Sequence, residues 1–83
     1  MEERIVVTLN LMKKGEMHDI EVPVDITANE LLIALNQGYE LGIDLKDITQ
    51  CFLKTENPIA LLKGNKTLSD YKLHNGTVIN YTR

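Results

Sequence analysis

The run Thr27-Ala28-Asn29-Glu30-Leu31-Leu32-Ile33-Ala34-Leu35, continuing through Tyr39 to Leu41, decides how the rest of the chain must fold. Its first four residues spell a capping box. The Thr27 hydroxyl can accept from the N–H of Glu30, and the Glu30 carboxylate can reach back to the N–H of Thr27. Ala28, Leu31, Leu32, Leu35 and Tyr39 then recur at helical spacing and form one apolar face. Gly42 follows where a left-handed C-cap is expected, so the sequence predicts one helix over about Thr27–Leu41. Steps of 100° per residue put Asn29, Glu30, Ile33, Gln37 and Glu40 on the outer arc. Ile33 is a large aliphatic in that polar company, either a contact residue or one of the isolated exposed apolar side chains that most proteins carry. Gly38 either admits a close neighbour or weakens the last turn. A lone helix of this length is marginal in water, so a sheet must cover its leucines.

The flanking sequence supplies short strands. Ile5, Val7, Leu9 and Leu11 alternate with Val6, Thr8 and Asn10, a period of two with odd positions inward. Lys13-Lys14-Gly15-Glu16 reads as a hairpin loop, and a second strand follows from about Met17 to Val24, with Ile20 and Val22 inward. Pro23 lacks a donor N–H, which suits an edge. Gly42 to Thr49 carries Ile43, Leu45 and Ile48 and is expected to close the bottom of the core. Gln50 to Thr55 is a third strand with two open parities: Cys51 and Leu53 inward with Phe52 outward, or the reverse. The first is favoured, because a thiol and a leucine suit a tight core. Glu56-Asn57-Pro58 is a turn, Ile59 to Leu62 a short strand, and Lys63-Gly64-Asn65-Lys66 a further turn.

With 83 residues the chain is one domain, 1–83, burying roughly 60–65% of its unfolded surface. A net charge of −3 gives no electrostatic case for nucleic acid. One cysteine allows no internal disulfide, and no apolar run approaches a signal peptide core or a membrane span. The expectation is a cytoplasmic protein that reaches a membrane only through a partner.

Thr67-Leu68-Ser69-Asp70-Tyr71 resembles a run found in ubiquitin before its last strand. Leu73, Ile79 and Tyr81 fall where ubiquitin has buried aliphatics, and Ile20, Val22 and Thr27 match its second strand and helix cap in register. Asn75-Gly76 fits a loop position that needs positive φ, where glycine is least costly. The resemblance implies an α+β, ubiquitin-like β-grasp fold, a mixed four- to five-stranded sheet wrapped on the one helix. In that fold the tyrosine at Tyr71 packs its ring and bonds its hydroxyl to a nearby loop backbone, and Asp70 is a turn residue. Ubiquitin-like modifiers and sulfur carriers end in a Gly-Gly tail, whereas this sequence ends Asn80-Tyr81-Thr82-Arg83. That departure, together with Leu41-Gly42-Ile43-Asp44-Leu45-Lys46-Asp47-Ile48 after the helix, is similar to the YukD/EsaB family of bacterial ubiquitin-like proteins. The resemblance implies a small accessory or regulatory factor of the type VII (WXG100) secretion system, with a secretion-apparatus protein as partner. The alternatives are a modifier or sulfur carrier, tested by adenylation, and a small RNA-binding module, tested by salt-dependent binding.

Catalytic chemistry has little to build on. His18, His74 and Cys51 sit on separate elements without ligand spacing, so no metal is expected. Apolar neighbours make Cys51 a small buried hydrophobe rather than a nucleophile. Gly64 and Gly76 belong to isolated turns and make no phosphate loop, and scattered acids such as Asp44 and Asp47 make no acid–base pair without a pocket. No cofactor and no catalysis are therefore expected. The candidate site is a surface. With the last strand central, the outer sheet face carries Val6, Thr8, Phe52, Val78, Asn80 and Thr82, and Phe52 with Val6 and Val78 forms a modest apolar patch. Aromatic residues are favoured contact anchors.

Overall fold

The computed structural model describes residues 3–44, 46–47 and 51–81. Strands β1 (Arg4–Leu11) and β2 (Glu16–Pro23) precede helix α1 (Ala28–Tyr39), and β3 (Leu53–Glu56), β4 (Ala60–Leu62) and β5 (Val78–Tyr81) follow it. The strands form one five-stranded sheet in the order β2-β1-β5-β3-β4. Strand β1 runs antiparallel to β2 and parallel to β5, with Thr8 beside Val78 and Asn10 beside Asn80. Strand β3 runs antiparallel to both β5 and β4, with Lys54 between Asn80 and Leu61. The last strand is therefore central, as the resemblance implies.

The helix begins as its sequence dictates. Thr27 Oγ1 accepts from the Glu30 N–H at 3.1 Å, and Glu30 Oε1 accepts from the Thr27 N–H at 3.0 Å. Two further amides of the first turn are satisfied by the loop before Thr67: Ala28 N–H donates to the Lys66 carbonyl at 2.9 Å and Asn29 N–H to Gly64 at 3.0 Å. Ala28, Leu31, Leu32 and Leu35 are buried against Ile5, Val7, Leu9, Leu11, Leu53, Leu62, Leu68 and Ile79. The odd positions of β1 face inward, and Val22 is buried with Ile20 half-buried beside it. Cys51 and Leu53 are both fully buried, which selects the favoured parity and turns Phe52 outward.

The end of the helix differs from the sequence reading. The last helical residue is Tyr39, and the left-handed cap is Glu40 at φ 52°, two positions before Gly42. Tertiary contacts cause this. Both amide atoms of Asn36 hold the backbone of Ile43, at 2.9 Å and 2.8 Å, and draw the chain back across the last turn. Lys14 Nζ, from the β1–β2 hairpin, donates to the Tyr39 carbonyl at 2.7 Å and supplies the cation that the last turn lacks. Nothing approaches the position a Cβ would take at Gly38, so that glycine admits no close neighbour. Ile43 of the expected plug packs on the core, as does Leu41 before it, whereas Leu45 and Ile48 lie outside the described residues.

The C-terminal turns are held by side chains. Asp70 Oδ2 accepts from the Thr67 N–H at 3.1 Å while Thr67 Oγ1 accepts from the Asp70 N–H at 3.1 Å. The Tyr71 hydroxyl donates to the Lys63 carbonyl at 2.9 Å and accepts from the Lys63 N–H at 3.3 Å, the loop-bonding role expected of it. Gly76 has φ 92°, a conformation that glycine reaches without steric cost.

Candidate protein-binding face

The outer side of the sheet is built by alternation. Residues that flank the buried positions of each strand must point away from the helix. Pairing then sets rows across the sheet. One row runs Asp19, Thr8, Val78, Glu56, and the next runs Met17, Asn10, Asn80, Lys54, Leu61. The middle of the face is polar and cross-linked. Thr8 Oγ1 donates to Asp19 Oδ1 at 3.1 Å. Asn10 Nδ2 donates to Asn80 Oδ1 at 2.9 Å, and Asn80 Nδ2 donates to Glu56 Oε2 at 3.3 Å, so three strands are joined by side chains. Such a chain fixes the Asn80 amide orientation, because its oxygen accepts on one side and its nitrogen donates on the other.

Val6, Thr8, Phe52, Val78 and Asn80 all lie on this side, and Thr82 falls outside the described residues. The anticipated patch of Phe52 with Val6 and Val78 does not form. Val6 is two residues before Thr8, the partner of Val78, and Phe52 is two residues before Lys54, the partner of Asn80. Two further residues separate Val78 from Asn80, so at about 3.3 Å per residue Val6 and Phe52 stand roughly 20 Å apart. Val6, 47% exposed, has Val78 for company. At the other end Phe52 is half-buried, with Lys54 Nζ 5.9 Å from its ring centroid.

Ile33 is also corrected. It is partly buried and packs against the core cluster. A helical side chain leans toward the N-terminus of its helix, which carries Ile33 over the first turn, where the loop at Gly64 and Lys66 is hydrogen-bonded. The sequence reading assigned no role to Ile59 and Leu61, yet they are 91% and 48% exposed and line an open groove of about 480 Å³ with Lys54, Glu56, Ala60 and Asn80. Their signal was parity: with Leu62 inward, Leu61 must face out.

The chemistry-bearing residues stay apart. Cys51 is buried in the core. His18 Nε2 lies 3.1 Å from Glu16 Oε1, and its ring rests 4.9 Å from that of Tyr39. His74 Nδ1 meets the Asn75 carbonyl at 2.9 Å. Among the described residues no group of three or more His, Cys, Asp or Glu side chains converges on a point. No helix among them is long and apolar enough to cross a membrane.

Solved structures with this arrangement are ubiquitin-like domains. The C-terminal ubiquitin-like domain of mouse tubulin-specific chaperone e superposes with a TM-score of 0.72 at 12% identity, covering 99% of this chain and 90% of that one. A structure described as molecular mimicry of SUMO promoting DNA repair gives 0.72 at 16% identity, over 100% and 95% of the two chains. A de novo design based on ubiquitin gives 0.65 at 18% identity, over 93% and 84%. At these identities the likeness establishes the fold, which is the ubiquitin-like β-grasp. No curated protein matches the sequence. The family model described as WXG100 protein secretion system (Wss), protein YukD, matches residues 4–80. That match runs from the first residue of β1 to the penultimate residue of β5, through every element described above, and the chain belongs to the YukD family.

Proposed function

We propose that this chain is a non-catalytic docking module, a cytoplasmic accessory or regulatory component of a type VII (WXG100) secretion system. It engages a protein of the apparatus through the outer face of its sheet. The observation that carries the reading is the family match over residues 4–80. The face supports it: a cross-linked polar strip, Thr8–Asp19 and Asn10–Asn80–Glu56, lies between apolar ground at Val6 and Val78 and at Phe52, Ile59 and Leu61. Fixed polar groups favour specificity, and the apolar ends supply area to bury.

The test is secretion of a WXG100 substrate by cells in which this chain is replaced by a Phe52→Ala, Leu61→Asp double variant. The expected result is a folded variant at normal abundance, reduced co-purification with the apparatus, and altered substrate in the culture supernatant. Normal co-purification and normal secretion with that variant would refute the face. Normal secretion on deleting the chain would refute the wider role.

A further inference from the structure

The two edges of the sheet are treated differently. The β1 bonds to its neighbours set the directions. Thr8 N–H donates to the Thr77 carbonyl, Gly76 N–H to Val6, and Met12 N–H to Tyr81, so even-numbered residues of β1 turn their backbone groups toward β5. The odd-numbered ones turn toward β2, where Val7 pairs with Ile20 and Leu9 with His18. The intervening residues of β2, Met17, Asp19 and Glu21, therefore direct their N–H and C=O groups away from the sheet. None of those groups is bonded to a described residue. At the other edge the same alternation leaves Leu61 facing out of β4. The next outward position, Lys63, has both backbone groups taken by the Tyr71 hydroxyl. That edge is three residues long, and Lys63 closes its end. The β2 edge is open over Met17 to Glu21, and Pro23 ends it without wasting an N–H.

We propose that the β2 edge accepts an extended segment of a partner protein in which basic and apolar residues alternate. A strand added there places its side chains directly beside those of β2 on both faces. On the outer face its neighbours are Asp19 and Glu21, both exposed, with the Glu21 carboxylate 3.8 Å from the Arg4 guanidinium. An ionised carboxylate accepts more than one donor, so lysine or arginine can join each of them. On the inner face the added strand meets half-buried Ile20 and the His18–Tyr39 ring pair, which call for apolar side chains. A second copy of this chain is a poor occupant. Antiparallel pairing of two β2 strands about Asp19 sets Asp19 against Asp19, and like charges directly opposite repel. The same acids that bar self-pairing select a basic strand. The edge adjoins the outer face at Asp19, and the proposal does not depend on the secretion role.

The test uses the whole chain, labelled with nitrogen-15, and synthetic peptides about nine residues long, enough for one strand. One alternates lysine and valine, a second alternates glutamate and valine, and a third is the lysine peptide N-methylated at alternate residues. The expected result is that the lysine peptide alone shifts the Met17, Asp19 and Glu21 amides and slows their hydrogen exchange by about tenfold or more at saturation. Methylation of the bonding edge abolishes the effect. An Asp19→Lys, Glu21→Lys variant reverses the preference to the glutamate peptide. Equal binding of the methylated peptide, shifts centred on another element, or no binding by the lysine peptide would overturn the proposal.

Discussion

Thr77 offers the sharpest test of how this fold is held. It is fully buried, and its hydroxyl makes two bonds: Oγ1 donates to the Asn57 carbonyl at 2.9 Å and accepts from the His74 N–H at 3.1 Å. Its own carbonyl receives the Thr8 N–H, so one residue ties two turns to the central strand. Replacing Thr77 by Val keeps the shape and removes the hydroxyl. Each bond is worth about 0.5–1.5 kcal/mol net, and each partner left unsatisfied adds its desolvation, so a loss of about 2–3 kcal/mol is expected. For a domain of this size that lowers the melting temperature by about 8–24 °C, and the urea midpoint by about 2–3 M if the slope is near 1 kcal/mol/M. Thr77→Ser keeps the hydroxyl and loses one methyl, costing about 1 kcal/mol. The chain has no tryptophan, so unfolding is followed by far-ultraviolet circular dichroism. The reasoning fails if Val is tolerated within about 0.5 kcal/mol, or if Ser costs as much as Val, since packing rather than the two bonds would then hold the site.

Thr27→Ala removes one half of the capping box and is expected to cost about 1 kcal/mol by urea denaturation, with Thr27→Asp close to neutral. Leu35→Ala, at a position 4% exposed, should cost about 2–5 kcal/mol, whereas Ile33→Ala, only partly buried, should cost about 1 kcal/mol; equal losses would contradict the burial order. Tyr71→Phe should cost about 1 kcal/mol and speed hydrogen exchange at the Lys63 amide, and unchanged exchange there would count against the bond. Phe52→Ala should lose about 1 kcal/mol; a loss of about 3–5 kcal/mol would assign Phe52 to the core.

What could be read from the sequence was what is local. The helix start is fixed by Thr27 and Glu30 within four residues, and the alternation of β1 by Ile5 to Leu11 alone, so both were legible. The helix end was not, because Asn36 holds Ile43 and Lys14 reaches Tyr39 from another hairpin, and a glycine two residues on was the only nearby signal. Phe52 lies on the outer side of the sheet, the parity the sequence favours while leaving the reverse open. Its height along the sheet depends on the pairing of Lys54 with Asn80, which no short-range pattern encodes, and so the patch with Val6 was misjudged. Thr77 went unnoticed because a threonine after Asn-Gly reads as turn polarity; its burial follows only from the return of the Asn57 carbonyl across the sheet end.

The geometry of the two surfaces separates the kinds of partner they suit. The apolar ends of the outer face, Val6 and Phe52, are roughly 20 Å apart across a strip whose side chains are cross-linked to one another. A short peptide that reached both ends would have to be ordered from a flexible state, which costs conformational entropy. A folded domain spans the distance with its side chains already placed. The β2 edge reverses the balance. Met17, Asp19 and Glu21 offer N–H and C=O groups in a line that an extended backbone matches residue for residue, while a globular surface can meet it only by presenting an edge of its own. One small domain thus carries a face suited to a preformed surface and an edge suited to an unfolded segment. Thr8 and Asp19, hydrogen-bonded at 3.1 Å, lie where the two meet.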